Sequence, residues 1–468
     1  MPAPQAFSNI RKRNLTCAFV VFLTTQCVGL ASAYSQAGSA GPPELTQQQI
    51  DAFQNVVEND RVRMLIMLCK SGKHELAAEL LNRFPLQQGH AANRTLYIEG
   101  LILQGRKDYT GAVGKYRTAL ANDPKLTLVR SDLAQTLVIL EQDESAIHHL
   151  QLLAADAPDE QAASGIRSFI DQVDERSPFK TNAYISLAPS TNVNNGSKHN
   201  VVYLPVLGGY QEIADGSQEN SGFGAAVGFN VGYSKRLGND FSFVAAANGE
   251  ARIYDDKDFN AYSLSQSVEI RRVFERGYLG LGAVASESLK NDEIGLGYYS
   301  YGPRLSARYA LTQRDTLSAS AVHEWRDYGN GSSSNGTAIL VQGAWTHAFD
   351  SSFNATLQGG FDDINAESQI ISYQTLSGGL SLYKELPHGV TATLGGQIRW
   401  SDFEGIYPLI GLSREDTRLV GSIELTKRDF NIFGFAPSMQ YTYTENLSNI
   451  DLFDYNSHAV DFRLTKQF

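Results

Sequence analysis

Cysteine is nearly absent. The chain of 468 residues holds three, and two of them, Cys17 and Cys27, lie within the first 33 residues. Only Cys69 remains beyond that point, which excludes an internal disulfide and a cysteine-based metal site. Cys69 follows Ile66-Met67-Leu68 and reads as a buried helix residue. Long apolar runs are missing after Ala33, so no later segment has the roughly 20 apolar residues of a membrane-spanning helix. A basic excess is missing too: 39 Lys and Arg face 50 Asp and Glu, giving a net charge of −11. That balance argues against nucleic acid as a partner, because phosphate neutralisation needs a basic surface. The common catalytic signatures are also lacking, with no G-x-S-x-G, no Walker A sequence and no H-E-x-x-H. His323-Glu324 has no second histidine at the metalloprotease spacing. His148 and His149 are adjacent, so on a helix they point about 100° apart and are expected not to share a ligand face. Gly280-Leu281-Gly282 and Gly295-Leu296-Gly297 fall in a strand and a loop rather than before a nucleotide-binding helix. We expect no catalytic, cofactor-binding or metal-ligating residues, and no enzyme.

What is present begins with an export signal over residues 1–33. Arg11-Lys12-Arg13 supply a basic start, Leu15 to Leu30 an apolar stretch, and Ala31-Ser32-Ala33 an A-x-A site with cleavage expected between Ala33 and Tyr34. Thr24-Thr25-Gln26 interrupts the apolar stretch, which disfavours an uncleaved anchor. Residues 34–48, with Gly41-Pro42-Pro43, read as a linker.

Residues 49–176 read as an all-α domain with helical spacing of apolar residues. They carry an internal repeat. Gly100, Ala112, Tyr116, Ala119 and Pro124 have the spacing of one tetratricopeptide repeat. A step of 34 residues gives Ala134, Ala146, Leu150, Leu153 and Pro158. The small residues let two antiparallel helices approach, the larger one fills the groove, and the proline ends the second helix. A weaker unit spans Arg61 to Pro85, with Ala78 one period before Ala112. Such stacks bury a shared core and leave a concave face for a partner.

At Ser177-Pro178 the character changes, and residues 178–468 alternate apolar with polar. Fourteen segments, from Phe179–Pro189 to Tyr455–Phe468, read as strands. Most exceed the roughly 9–11 residues that cross a bilayer as a tilted strand. Phe223, Ala225, Val227, Phe229, Val231 and Tyr233 share one face of the second; Gly224, Ala226, Gly228, Asn230, Gly232 and Ser234 share the other. Tight connections such as Glu275-Arg276, Gln313-Arg314 and Pro387-His388 follow even-numbered strands, and longer polar ones follow most odd-numbered strands. The expected fold is therefore an all-α tetratricopeptide-repeat domain followed by an all-β, 14-stranded antiparallel transmembrane β-barrel. A mean hydropathy of −0.25 suits such a wall, which is apolar on one face only. An even strand count puts both barrel ends in the periplasm with the helical domain, in the outer membrane of a Gram-negative cell. Aromatic residues such as Tyr298-Tyr299 and Tyr441/Tyr443 suit interface girdles.

The run Ala188-Pro189-Ser190-Thr191-Asn192-Val193-Asn194-Asn195 ends the first barrel strand. Its proline–small-polar–Asn–aliphatic–Asn order, with Pro189, Asn192 and Asn194, resembles the surface lipoprotein assembly modulator family, also described as type XI secretion outer-membrane proteins. The terminal phenylalanine resembles the signal read by the barrel-assembly machinery. The family resemblance covers nearly the whole mature chain. It implies a translocon for client proteins, either surface lipoproteins or secreted soluble proteins. It implies periplasmic chaperones and outer-membrane lipid as further partners, and no cofactor. Two alternatives stay open: an exopolysaccharide exporter with periplasmic repeats, and a porin or surface receptor.

Overall fold

A computed structural model describes residues 47–466, apart from 239, 289–296, 330–334, 409, 429 and 431–434. The expected signal, its cleavage site at Ala33 and Tyr34, most of the linker and the terminal Phe468 lie outside the described residues. The chain forms two compact units, divided after Leu86.

The first unit contains α1 (Gln47–Gln54), α2 (Glu58–Lys70) and α3 (His74–Arg83). Cys69 is buried on α2, and burial raises its thiol pKa to about 11. The small buried residue of α3 is Ala77, with Ala78 half-buried beside it.

The second unit opens with α4 (Ala91–Gly105), α5 (Tyr109–Asn122), α6 (Thr127–Ile139), α7 (Asp143–Ala155) and α8 (Glu160–Arg176). Helix ends follow local chemistry: Asp108 caps α5 through the Gly111 amide, and Asp159 caps α8 through the Ala162 amide. The α4–α5 and α6–α7 turns share one conformation. Lys107 and Glu141, 34 positions apart, both adopt positive φ. The next amide in each case, Asp108 or Gln142, reaches back to the carbonyl of Leu103 or Leu137. The cores match as well. Ala112, Tyr116, Ala119, Ala134 and Ala146 are fully buried, with Leu150 and Leu153 nearly so. A Cβ on Gly100 would lie 2.3 Å from the Tyr116 ring, so that position admits only glycine at this helix spacing. Pro124 is buried after α5, and Pro158 stands exposed between α7 and α8.

Sixteen strands follow among the described residues. They are β1 (Phe179–Leu187), β2 (Val201–Leu204), β3 (Gly209–Glu212), β4 (Gly224–Arg236), β5 (Phe241–Tyr254), β6 (Ala261–Phe274), β7 (Gly277–Ser288) and β8 (Tyr298–Ala310). Then come β9 (Asp315–Asp327), β10 (Gly336–Asp350), β11 (Phe353–Ala366), β12 (Tyr373–Leu386), β13 (Val390–Ile406), β14 (Ser413–Lys427), β15 (Phe435–Ser448) and β16 (Tyr455–Lys466). All except β2 and β3 form a closed antiparallel barrel, with β1 joined to β16. These fourteen are the segments read from alternation. Strand β11 runs to Ala366, and its Asp362 faces the lumen and pairs with Arg399. Strands β13 and β14 extend to Ile406 and back to Ser413, with a register shift between Asp402 and Ile406.

The outer face is apolar. Leu281, Leu305, Leu357, Leu376 and Leu394 stand exposed along it. Lipid is the solvent that makes such exposure favourable. Phe179, Tyr233 and Phe243 adjoin near the short turns, as do Phe349 and Phe353. Tyr301 and Trp325 adjoin near the long loops. Tyr299 also faces outward, but Tyr298 turns into the lumen beneath Arg326, 4.7 Å from its ring centre. The reason is strand geometry: neighbours alternate faces, so only one of two adjacent tyrosines can join a girdle.

Candidate functional site at the helix-covered mouth

Helices α4–α8 are fastened to the short-turn end of the barrel around its rim. Asp174 pairs with Lys180 of β1, and Glu144 accepts from the Thr181 amide at 2.9 Å. Arg236, at the end of β4, meets Asp171 and Glu175 at 3.2 and 3.0 Å. Arg276 of the β6–β7 turn faces Glu160. Gln313 and Arg314 of the β8–β9 turn donate to the carbonyls of Ala157, just past α7, and Ala155, its last residue. Lys125 pairs with Asp350, and the Ser351 amide donates to Asp156, at the β10–β11 turn. The Gly389 amide of the β12–β13 turn donates to Ala121. Attachments on so many turns place the helices across the mouth.

The centre of this lid is an ion cluster. Arg130 of α6 donates to Glu385 of β12 at 2.7 Å, and both side chains are fully buried. Arg428, just past β14, takes the other carboxylate oxygen at 2.8 Å. Arg130 also donates to the Pro124 carbonyl at 2.7 Å and lies 3.3 Å from His149 Nδ1. Burial lowers the His148 pKa to about 4, with Arg130 and Arg428 adding to the effect and Glu385 opposing it. His149 falls well below its ordinary value, first from burial and then from His148 and the nearby arginines. Both imidazoles are therefore neutral near pH 7. Their rings lie 5.4 Å apart, edge to face, and both line one cavity.

Charges along the lumen are paired within strands and, at Glu269–Arg304 and Asp362–Arg399, between them. Glu250–Arg252, Glu269–Arg271 and Glu324–Arg326 join at 2.7, 2.8 and 3.1 Å, each across one intervening residue. Arg414 binds Asp416 the same way, and Arg463 approaches Asp461. The spacing puts acid and arginine on the same inward face. An acid and an arginine two positions apart are a signal carried by the sequence itself; Arg130–Glu385, across 255 positions, carries none.

The proline–asparagine run sits at the opposite, long-loop end. The Pro189 carbonyl accepts from Val460. Asn192 is buried; its amide group donates to Gly196 and Asn456 and accepts from the Gly196 amide. Asn194 donates to Gly216 and Gln218 and accepts from the Asn220 amide. Residues 190–220 fold as the β2–β3 hairpin over the β13–β14 and β15–β16 loops, sharing an apolar cluster of Val202, Ile213, Ile410 and Ile450. The predicted residues thus occupy two sites: the repeat positions build the lid, and the asparagines clamp this hairpin.

The family model described as surface lipoprotein assembly modifier matches residues 179–468, the whole barrel. The chain belongs to this family. Surface lipoprotein assembly modifier 1 of Haemophilus influenzae is 20% identical over 386 residues, covering 80% of this chain and 77% of the relative. The protein of the same description from Neisseria meningitidis serogroup B is 23% identical over 392 residues, covering 80% and 75%. A solved FadL homologue of Pseudomonas aeruginosa overlaps 67% of this chain and 95% of its own, at 12% identity and a TM-score of 0.33. As a family member with a closed, apolar-walled barrel, the protein resides in the outer membrane and serves the surface assembly of lipoproteins.

Proposed function

We propose that this surface lipoprotein assembly modifier moves specific client polypeptides across the outer membrane. The clients are lipoproteins delivered to the surface or soluble proteins released outside. The observation that carries this reading is the lid: a stack of helical hairpins held over the short-turn mouth by Arg130, Glu385 and Arg428. We read α4–α7 as two tetratricopeptide repeats closed by α8, with the short turns and the lid on the periplasmic side. There the repeats receive the client and its chaperones. The barrel itself reaches the membrane through the barrel-assembly machinery and meets lipid on its outer face. The role requires no nucleophile or cofactor, and the work comes from client folding, binding or lipid insertion. The lumen favours this reading over polysaccharide export, since arginines neutralised by same-strand acids offer little free charge to a charged sugar chain.

The test is co-expression with a candidate lipoprotein, scoring protease-accessible client on intact cells. Exposure should require this protein. Equal exposure with and without it, for every candidate client tried, would sink the proposal.

A further inference from the structure

The cavity under the lid holds more positive charge than its neighbours neutralise. It occupies about 250 Å³ between α5–α7 and the inner barrel wall. Arg117 and Arg428 line it, and Arg130 lies against His149, which also lines it. Among the described residues, the carboxylate tied to this group is Glu385, and both its oxygens are already taken by Arg130 and Arg428. Three guanidinium groups against one carboxylate leave two positive charges in excess. Buried charge of that kind calls for a counter-charge. The two histidines do not add to it, since burial keeps them neutral.

Free donors point the same way. Nε and one terminal nitrogen of Arg428 are buried with no hydrogen-bond partner, as is the Thr391 hydroxyl. Arg130 is always charged and can only donate, so neutral His149 accepts at Nδ1 and carries its proton on Nε2, a further donor. Burial also lowers the Arg117 pKa, as expected of a cation without enough compensation. The remaining wall is apolar in part, with Leu120 and Leu133.

We propose that this cavity is an oxyanion site that takes a carboxylate side chain from an acidic segment of a polypeptide entering the barrel. Its volume falls below the roughly 300–1,000 Å³ of sites for drug-sized ligands, so it fits one side-chain-sized group. A guanidinium fork matches a carboxylate in plane. That the bearer is a client rests on the translocation reading; the affinity for a carboxylate does not.

The experiment uses the full chain in detergent and a fluorescent hexaglutamate peptide followed by anisotropy. Arg117→Gln tests the site without touching the Glu385 pairs, and Thr391→Val is a second variant. Unchanged heat-shifted gel migration verifies the barrel of each, and an unchanged rate of limited proteolysis without peptide verifies the helices. Wild type should bind with salt-sensitive affinity, and each variant should bind more weakly, by about tenfold or more for Arg117→Gln. Arg276→Gln, on the rim, should bind as wild type does. Glutarate should displace the peptide at concentrations where inorganic phosphate does not. Equal binding by wild type and both variants, or no peptide binding at all, overturns the site. Preferential displacement by phosphate overturns the carboxylate assignment. Failure of client exposure in cells with peptide binding intact would remove the client and keep the site.

Discussion

Replacing Glu385 by leucine should release the lid. Glu385 is fully buried and accepts from Arg130 at 2.7 Å and Arg428 at 2.8 Å. Its loss strands two guanidinium groups in a site where Arg130 has no exposure. Breaking a buried pair on one side costs about 3–5 kcal/mol. At about 1.4 kcal/mol per tenfold, the open population should rise from about a hundredfold to a few thousandfold. Limited proteolysis of the detergent-solubilised protein reads that population, if digestion is followed through fragments released from α4–α8. The barrel should keep its heat-shifted migration, because strand pairing is untouched. The double variant Arg130→Met/Glu385→Leu should open less than Glu385→Leu alone, since it strands one guanidinium, that of Arg428, instead of two. Cleavage of Glu385→Leu at the wild-type rate would refute the reasoning. So would a double variant that opens as much as the two single variants added together.

Four other perturbations address separate parts of the molecule. Acid should loosen the lid: with folded pKa values lowered, the histidines bind fewer protons docked than free, so docking is strongest above about pH 6.5 and weakens as pH falls toward 4. The slope should be about 1.4 kcal/mol per pH unit for each histidine, read as proteolysis rate against pH, and a flat profile contradicts it. Gly100→Ala should destabilise the helical stack by about 1–3 kcal/mol because its Cβ meets the Tyr116 ring, and a smaller residue at Tyr116 should restore thermal unfolding of the helices by circular dichroism. Asn192→Ala removes three hydrogen bonds that clamp residues 190–220, and faster amide exchange confined to that hairpin is the expected result. Leu305→Arg, in the middle of the lipid face, should cost about 2–4 kcal/mol and lower the yield of folded barrel, whereas an arginine in place of exposed, lumen-facing Gln342 should not.

The barrel was legible because its physics is local. A strand in lipid must alternate, and Phe223 to Tyr233 do so visibly; the tight turns then fixed where each strand reversed. The helical region was legible in part for a similar reason, since Gly100 and Tyr116 share the repeat spacing and pack against each other, whereas the positive-φ turns at Lys107 and Glu141 carry no residue signal. What the sequence hid is long-range. Nothing near Arg130 announces Glu385, and a lone arginine in a helix reads as surface charge until the barrel wall is placed against it. The hairpin at residues 190–220 was hidden as well. Its strands span only four residues each, too short for alternation to register, and its core partners Ile410 and Ile450 come from loops about two hundred positions or more away.

The lid also constrains how any polypeptide could pass. A barrel mouth covered by helices admits a chain only if the helices move, and the buried cluster makes partial movement costly. Arg130 cannot slide past Glu385 without first losing a hydrogen-bonded charge pair in a dry site. The opening should therefore be all-or-none at this contact, with the rim pairs following. Those rim pairs, such as Lys125–Asp350 and Arg236–Asp171, are partly exposed and individually weak. A client that supplies its own carboxylate near Arg117 and Arg428 would lower the cost of that first break by offering the arginines a substitute acceptor. On this argument, an acidic segment both fits the cavity and helps to open it. Acidic peptide should then accelerate cleavage of the helices in the wild type and leave Arg117→Gln nearly unaffected. Protection from cleavage on peptide binding would separate the two roles and confine the cavity to holding the lid shut.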